Sequence, residues 1–238
     1  MKKPSVARLL VAACVGAALL LVSAGCSSPS SSSSAPAQNS SATSSGQGGL
    51  SPQSAPSTPQ EGQLYTPTYK PSGNEVAVIK TDKGTIKVKF FPKDAPIAVA
   101  NFIELAQKGF YNGIKFHRYV PGFVIQGGDP QTKGVSAADV ASADANQSGQ
   151  FGSGGPGYNI ADEYANNPNK HVDGSIAMAR TSAPNSAGSQ FYFALAPLPQ
   201  LDGQYTVFGQ ADAASLAVIH KLRAGDTIES ITIENATK

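Results

Sequence analysis

Between residues 85 and 91 the chain alternates: Ile86, Val88 and Phe90 are apolar, while Lys87 and Lys89 between them are charged. A period of two marks a strand with one face buried and the other in water. Residues 75–80 are similarly β-rich, and Thr81-Asp82-Lys83-Gly84 between the two runs predicts a hairpin. The period then changes. Val99, Phe102, Ile103 and Ala106 fall on one face of a helix, with Asp94 as its expected N-cap, Pro96 in its first turn and Gly109 placed to end it. Short apolar runs follow at 115–119, 123–126, 175–179, 190–195 and 206–208, most of them parted by turn residues. A second helix over about 213–222 and a closing strand over 227–234 complete the series. Many short strands with few helices predict a mainly β barrel or sandwich, with the order of strands left open.

Two stretches lack this patterning. Residues 130–158 are rich in Gly, Ser, Ala and Asp without long periodic runs, which predicts a long surface loop. Within it, residues 152–157 match G-x-G-x-x-G, but no strand precedes them and Pro156 breaks the helix start that a dinucleotide site needs. The other stretch is N-terminal. Lys2, Lys3 and Arg8 precede an uncharged apolar run over 9–22 that ends in Ser23-Ala24-Gly25-Cys26. This is the pattern of a secretory signal, too short to span a membrane comfortably. Its end resembles the bacterial lipobox, so Cys26 is expected to be lipidated and 1–25 removed. Two acyl chains on Cys26 would anchor the protein stably, at about 0.8 kcal/mol per buried methylene. Residues 27–60 carry no charge and 14 of the 34 are Ser, which predicts a disordered tether reaching roughly 30–35 Å. The tether is expected to continue to residue 73, through the Pro-rich piece 65–71. The folded domain is then 74–238, on the extracytoplasmic face of the cell membrane.

Charge and cysteine content narrow the function. Net charge is +2, but loss of Lys2, Lys3 and Arg8 leaves 15 basic against 16 acidic side chains, which offers nothing to nucleic acid. Cys14 lies in the signal, so the mature chain keeps Cys26 alone and can form no internal disulfide. His117, His171 and His220 have no metal-like spacing, and no metal is expected. No Ser sits in a G-x-S-x-G elbow, so a hydrolase nucleophile is missing from the sequence.

Three ordered motifs carry the candidate chemistry: Phe116-His117-Arg118-Tyr119-Val120-Pro121-Gly122-Phe123-Val124-Ile125-Gln126-Gly127-Gly128-Asp129; Met178-Ala179-Arg180-Thr181 with residues 185–193; and residues 201–209. Together they resemble the cyclophilins over nearly all of 75–238. The resemblance implies a closed eight-stranded β-barrel capped by two α-helices, and isomerisation of X-Pro bonds in unfolded or flexible chains without a cofactor. It gives Arg118 the catalytic role, aimed at the prolyl nitrogen. Phe123, Val124, Tyr192 and Leu201 resemble the pocket for the proline ring. Gln126 resembles the residue that binds substrate backbone and helps hold the arginine. Arg180 stands where the family has an asparagine whose backbone binds peptide; Ala179, Thr181 and Gln190 match neighbouring subsites, and Gly152 an adjoining one. Tyr205 stands where His is common, Tyr192 where Phe is usual, and Val124 where Met is common. Gln200 replaces a tryptophan that contacts cyclosporin in many eukaryotic members, so weaker binding of that drug is expected. A non-catalytic peptide-binding or chaperone module on the same barrel is the alternative. A solute-binding lipoprotein would need two larger lobes than 165 residues supply. A monomer is the simplest expectation.

Overall fold

In a computed structural model of the protein, residues 64–236 are described. The signal 1–25, Cys26 and the Ser-rich part of the tether lie outside them. The first two strands, β1 (Glu75–Thr81) and β2 (Gly84–Phe90), form the expected hairpin, with Thr81 opposite Gly84. Ile86, Val88 and Phe90 are buried and the residues between them exposed, as the alternation demands. The remaining strands are β3 (Arg118–Val120), β4 (Val124–Gly127), β5 (Ser175–Met178), β6 (Phe191–Ala194), β7 (Val207–Ala211) and β8 (Ile228–Asn235). All pair antiparallel, in the order β3-β4-β6-β5-β7-β2-β1-β8.

The sheet is a curled half-barrel and not the closed barrel expected. β3 and β8 are its edges, and no ladder joins them. Instead the irregular chain before β3 crosses the seam: the Gly113 amide donates to Ile228 O, the Phe116 amide to Asp226 O, and the Gly225 amide to Phe116 O, at 2.8–2.9 Å. These bonds satisfy backbone groups that a bare edge would leave open. A ladder fails because β3 is three residues long and the turn at 112–114, with Gly113 at φ +79°, interrupts its upstream extension.

Among the described residues three α-helices are present where two were expected. α1 (Pro96–Gln107) buries Val99, Phe102, Ile103 and Ala106, the face that the period picks out. Phe102 lies 5.0–5.7 Å, centroid to centroid, from the rings of Phe90, Tyr111, Phe191 and Phe208, and each such buried ring is worth about 1.5–3 kcal/mol. Asp94 does not cap the helix. Ala95 is the N-cap, and the Ile97 and Ala98 amides donate to the Glu163 carboxylate at 2.8–2.9 Å. Gly109, at φ +66°, ends the helix as expected, with amides 109 and 110 returning to Ala106 and Leu105. α2 (Ala137–Ala145) lies inside the segment read as loop, capped by Ser136 and holding one buried apolar residue, Val140. α3 (Ala213–Ile219) is capped by Asp212 and ends before the expected residue 222.

The extended segment 64–73, assigned to the tether, is laid against the domain. The Glu104 carboxylate accepts from the Tyr65 hydroxyl at 2.5 Å, from the Thr68 amide and hydroxyl, and from the Tyr69 amide. Tyr65 also packs on Tyr158, 4.2 Å between centroids, and its amide donates to Asn159 O. Burial pushes Glu104 up, but these donors outweigh it and the carboxyl sits below its usual range.

Candidate active site

The site is built on the outer face of the sheet. β5 and β6 are buried on both sides, so successive residues feed two different apolar layers. Ile176, Phe191 and Phe193 enter the main core, while Ala177, Tyr192 and Ala194 join Val124, Leu198 and Val207 in a second cluster. Phe123, Leu201 and Tyr205 pack against that cluster from above. They enclose a pocket of about 220 Å³, lined also by Arg118, Gln126, Ala179 and Arg180. Nine of the twelve residues expected at the site therefore meet in one ring-sized cavity. Gly152, Thr181 and Gln190 do not; they line an adjoining groove of about 470 Å³ that shares Gln126, Ala179 and Arg180 with the pocket.

Arg118 projects from the edge strand opposite Gln126 and is exposed. Among the described residues its guanidinium has no hydrogen bond or ion pair, so the expected hold by Gln126 is absent. The Gln126 amide donates instead to Gln190 Oε1 at 2.9 Å, and the Gln190 amide to Gly154 O at 2.8 Å. The groove wall that receives this bond hangs from Asp129, whose carboxylate accepts from the amides of Gln131, Gly152 and Gly154. A Cβ at Gly154 would collide with that carboxylate, and Gly152 takes φ +104°, so the wall needs glycine at both places. Behind the arginine, His117 is buried, with neither ring nitrogen partnered. Burial lowers its pKa to about 4; Asp129 opposes that fall and Arg118 adds to it, leaving the ring neutral at pH 7.

Arg180, which lines both the pocket and the groove, is tied down on the protein. Its Nε donates to Gln204 O, one terminal nitrogen donates to Thr181 O, and its plane lies over Tyr164 and Tyr205 at 4.9 and 5.3 Å. Beneath the pocket, the Tyr192 hydroxyl lies 2.9 Å from His171 Nε2, and His171 Nδ1 lies 2.9 Å from Asp202 Oδ1. This buried relay, like the Asp129 hub and the Glu163 cap, carried no signal in the sequence, because its members are 21–31 residues apart. Tyr192 was named there for the pocket and His171 as a histidine without metal spacing, but nothing tied the two to each other or to Asp202. Among the described residues no three His, Cys, Asp or Glu are arranged to hold a metal ion.

A small cavity walled by Phe123, Val124, Tyr192 and Leu201, a guanidinium at its lip and a groove of amides and backbone define a site for an extended polypeptide. The chain belongs to the cyclophilin type peptidyl-prolyl cis-trans isomerase family, whose description matches residues 76–238. It is 45% identical over 161 residues to a peptidyl-prolyl cis-trans isomerase of Helicobacter pylori, covering 67% of this chain and 87% of that one. A Synechococcus elongatus relative of the same name is 44% identical over 158 residues, 66% of this chain and 94% of that one. A crystal structure of a Cryptosporidium parvum cyclophilin type isomerase superposes with TM-score 0.55 at 29% identity, over 68% of this chain and 99% of that one. A second structure of that protein, in the presence of the dipeptide Ala-Pro, gives TM-score 0.51 at 29% identity over the same shares. The protein is thus an enzyme, a peptidyl-prolyl cis–trans isomerase.

Proposed function

We propose that Arg118 drives the isomerisation, and that the substrates are proline-containing, unfolded or flexible chains outside the cytoplasmic membrane, where Cys26 anchors the enzyme. The observation that carries the first part is the unpaired guanidinium at the lip of the ring pocket. Rotation about X-Pro crosses about 18–20 kcal/mol because the nitrogen lone pair is conjugated with the carbonyl. As the amide twists, that pair localises on nitrogen, and a cation already in place stabilises it without reorganisation. A guanidinium committed to a carboxylate would be less able to do so. Phe123, Val124, Tyr192 and Leu201 hold the ring, and Gln126, steadied by Gln190, faces the peptide backbone. Ala179, Arg180, Thr181, Gln190 and Gly152 receive the residues alongside, and Tyr205 closes the pocket. The relative's structure determined in the presence of the dipeptide Ala-Pro agrees with a ligand of this class.

The envelope setting rests on the pattern that ends in Cys26, and on chemistry: uncatalysed X-Pro exchange takes tens to hundreds of seconds, slow enough to limit folding of exported chains. Arg118→Ala tests the central claim. In exchange measurements on a short X-Pro peptide, kcat/KM is expected to fall about 10²–10³-fold, with peptide affinity changed far less. A variant within tenfold of the wild type would remove Arg118 from the mechanism.

A further inference from the structure

A cavity larger than the ring pocket lies beside it. A space of about 540 Å³ opens where α2 and the loop after it face the edge strand, and it shares Arg118 and Gln126 with the ring pocket and Gly152 with the glycine groove. A polypeptide held at the ring pocket therefore has this space as one continuation of its path. The wall from α2 and the loop after it is polar, with Gln147 and Gln150 of the loop contributing amides and Asp144 of the helix the one carboxylate of the lining. Asp144 is fixed in place, since the amide of Tyr119, next to Arg118, donates to both of its oxygens at 3.3 Å. Buried His117 forms part of the back wall with both ring nitrogens unpartnered, the state of a group whose partner is absent from the free protein.

We infer that this cavity is a third substrate subsite, which takes a lysine or arginine side chain of the polypeptide near the isomerised proline, with Asp144 as its counter-charge. The inference rests on reading the neighbouring pocket as the proline site. Three features favour a cation. Asp144 is in the last turn of α2, at the negative end of the helix, and the helix sequence Ala137–Ala145 contains two Asp and no basic residue. The neutral His117 ring adds no positive charge, which leaves Arg118, shared with the ring pocket, as the one cation of the lining. Burial raises the Asp144 carboxyl, and the Tyr119 amide and Arg118 only partly offset this, so a further cation would favour its ionised form. An extended chain advances about 3.3–3.6 Å per residue, which places the recognised side chain within about three residues of the proline.

The test uses the full chain and X-Pro peptides in which a single Lys, Gln or Glu is walked through three positions on either side of the proline. Affinity and exchange rate are read on the same samples. At one position Lys is expected to bind about 3–10-fold more tightly than Gln, and Glu more weakly than either. In Asp144→Asn that Lys/Gln ratio is expected to fall within twofold, while Asp139→Asn, on the exposed side of α2, preserves it. Equal binding of Lys and Gln at every position, or a preference that survives Asp144→Asn, would overturn the subsite. Peptides that bind with the Lys preference but are not isomerised would leave the subsite standing and remove the catalytic reading. Failure of every peptide to bind would remove both.

Discussion

His117 and Tyr192 flank the pocket, and both are polar groups taken out of water, with opposite outcomes. The Tyr192 hydroxyl has a partner in His171, which Asp202 holds through its backbone amide and its ring. Burial pushes the Asp202 carboxyl up, but those two bonds outweigh it, so it stays ionised and fixes the imidazole. The ring that floors the pocket is therefore pinned from behind. His117 has no such partner, and its state depends on pH. Its folded pKa of about 4 lies below the ordinary 6.5, so between those values the unfolded chain binds the extra proton. Stability should then rise with pH from about 4 to 6.5 and level off above, a gain on the order of 3 kcal/mol. Urea midpoints measured across that window should climb in the wild type and flatten in His117→Gln. An equal climb in the variant would place the titrating group elsewhere.

The elements show which structure is local and which is not. The hairpin, the buried face of α1 and its glycine stop were legible because period, turn and φ requirement all lie within a few adjacent residues. The start of α1 was not. Asp94 had the right chemistry for an N-cap, yet its carboxylate accepts from Asn169, and Glu163, 66 residues from the Ile97 amide, serves the helix. Glu163→Ala should cost about 1–2 kcal/mol, read as a lower midpoint in thermal or urea unfolding, whereas Asp94→Ala should leave the helix start intact. α2 escaped notice for a different reason: with Val140 its single buried residue, it has no apolar stripe to reveal a period. The motif residues of the site were legible as a set, since alternation along β6 sends Tyr192 outward between two core phenylalanines. The contacts that steady them, Gln126 to Gln190 and Asp129 to Gly152, span 64 and 23 residues and leave no local trace.

At the scale of the whole molecule, the half-barrel is held by packing and backbone pairing, since both cysteines fall outside the described residues. The anchoring role proposed for Cys26 is tested separately from the fold. Cys26→Ser should move the protein from the membrane fraction to the soluble fraction of cells without altering isomerase activity per molecule. Retention of the variant in washed membranes would sink the lipid anchor.

The docking of residues 64–73 has a mechanical consequence. A pull applied through the N-terminal chain reaches Tyr65 first, and the Glu104 clasp and the Tyr65–Tyr158 stack must yield before tension arrives at β1. Peeling these ten residues would free a contour of about 35 Å from the surface of the domain. The enzyme therefore carries a sacrificial link in series with its sheet, able to give under load and reseal while the pocket on the outer face keeps its shape.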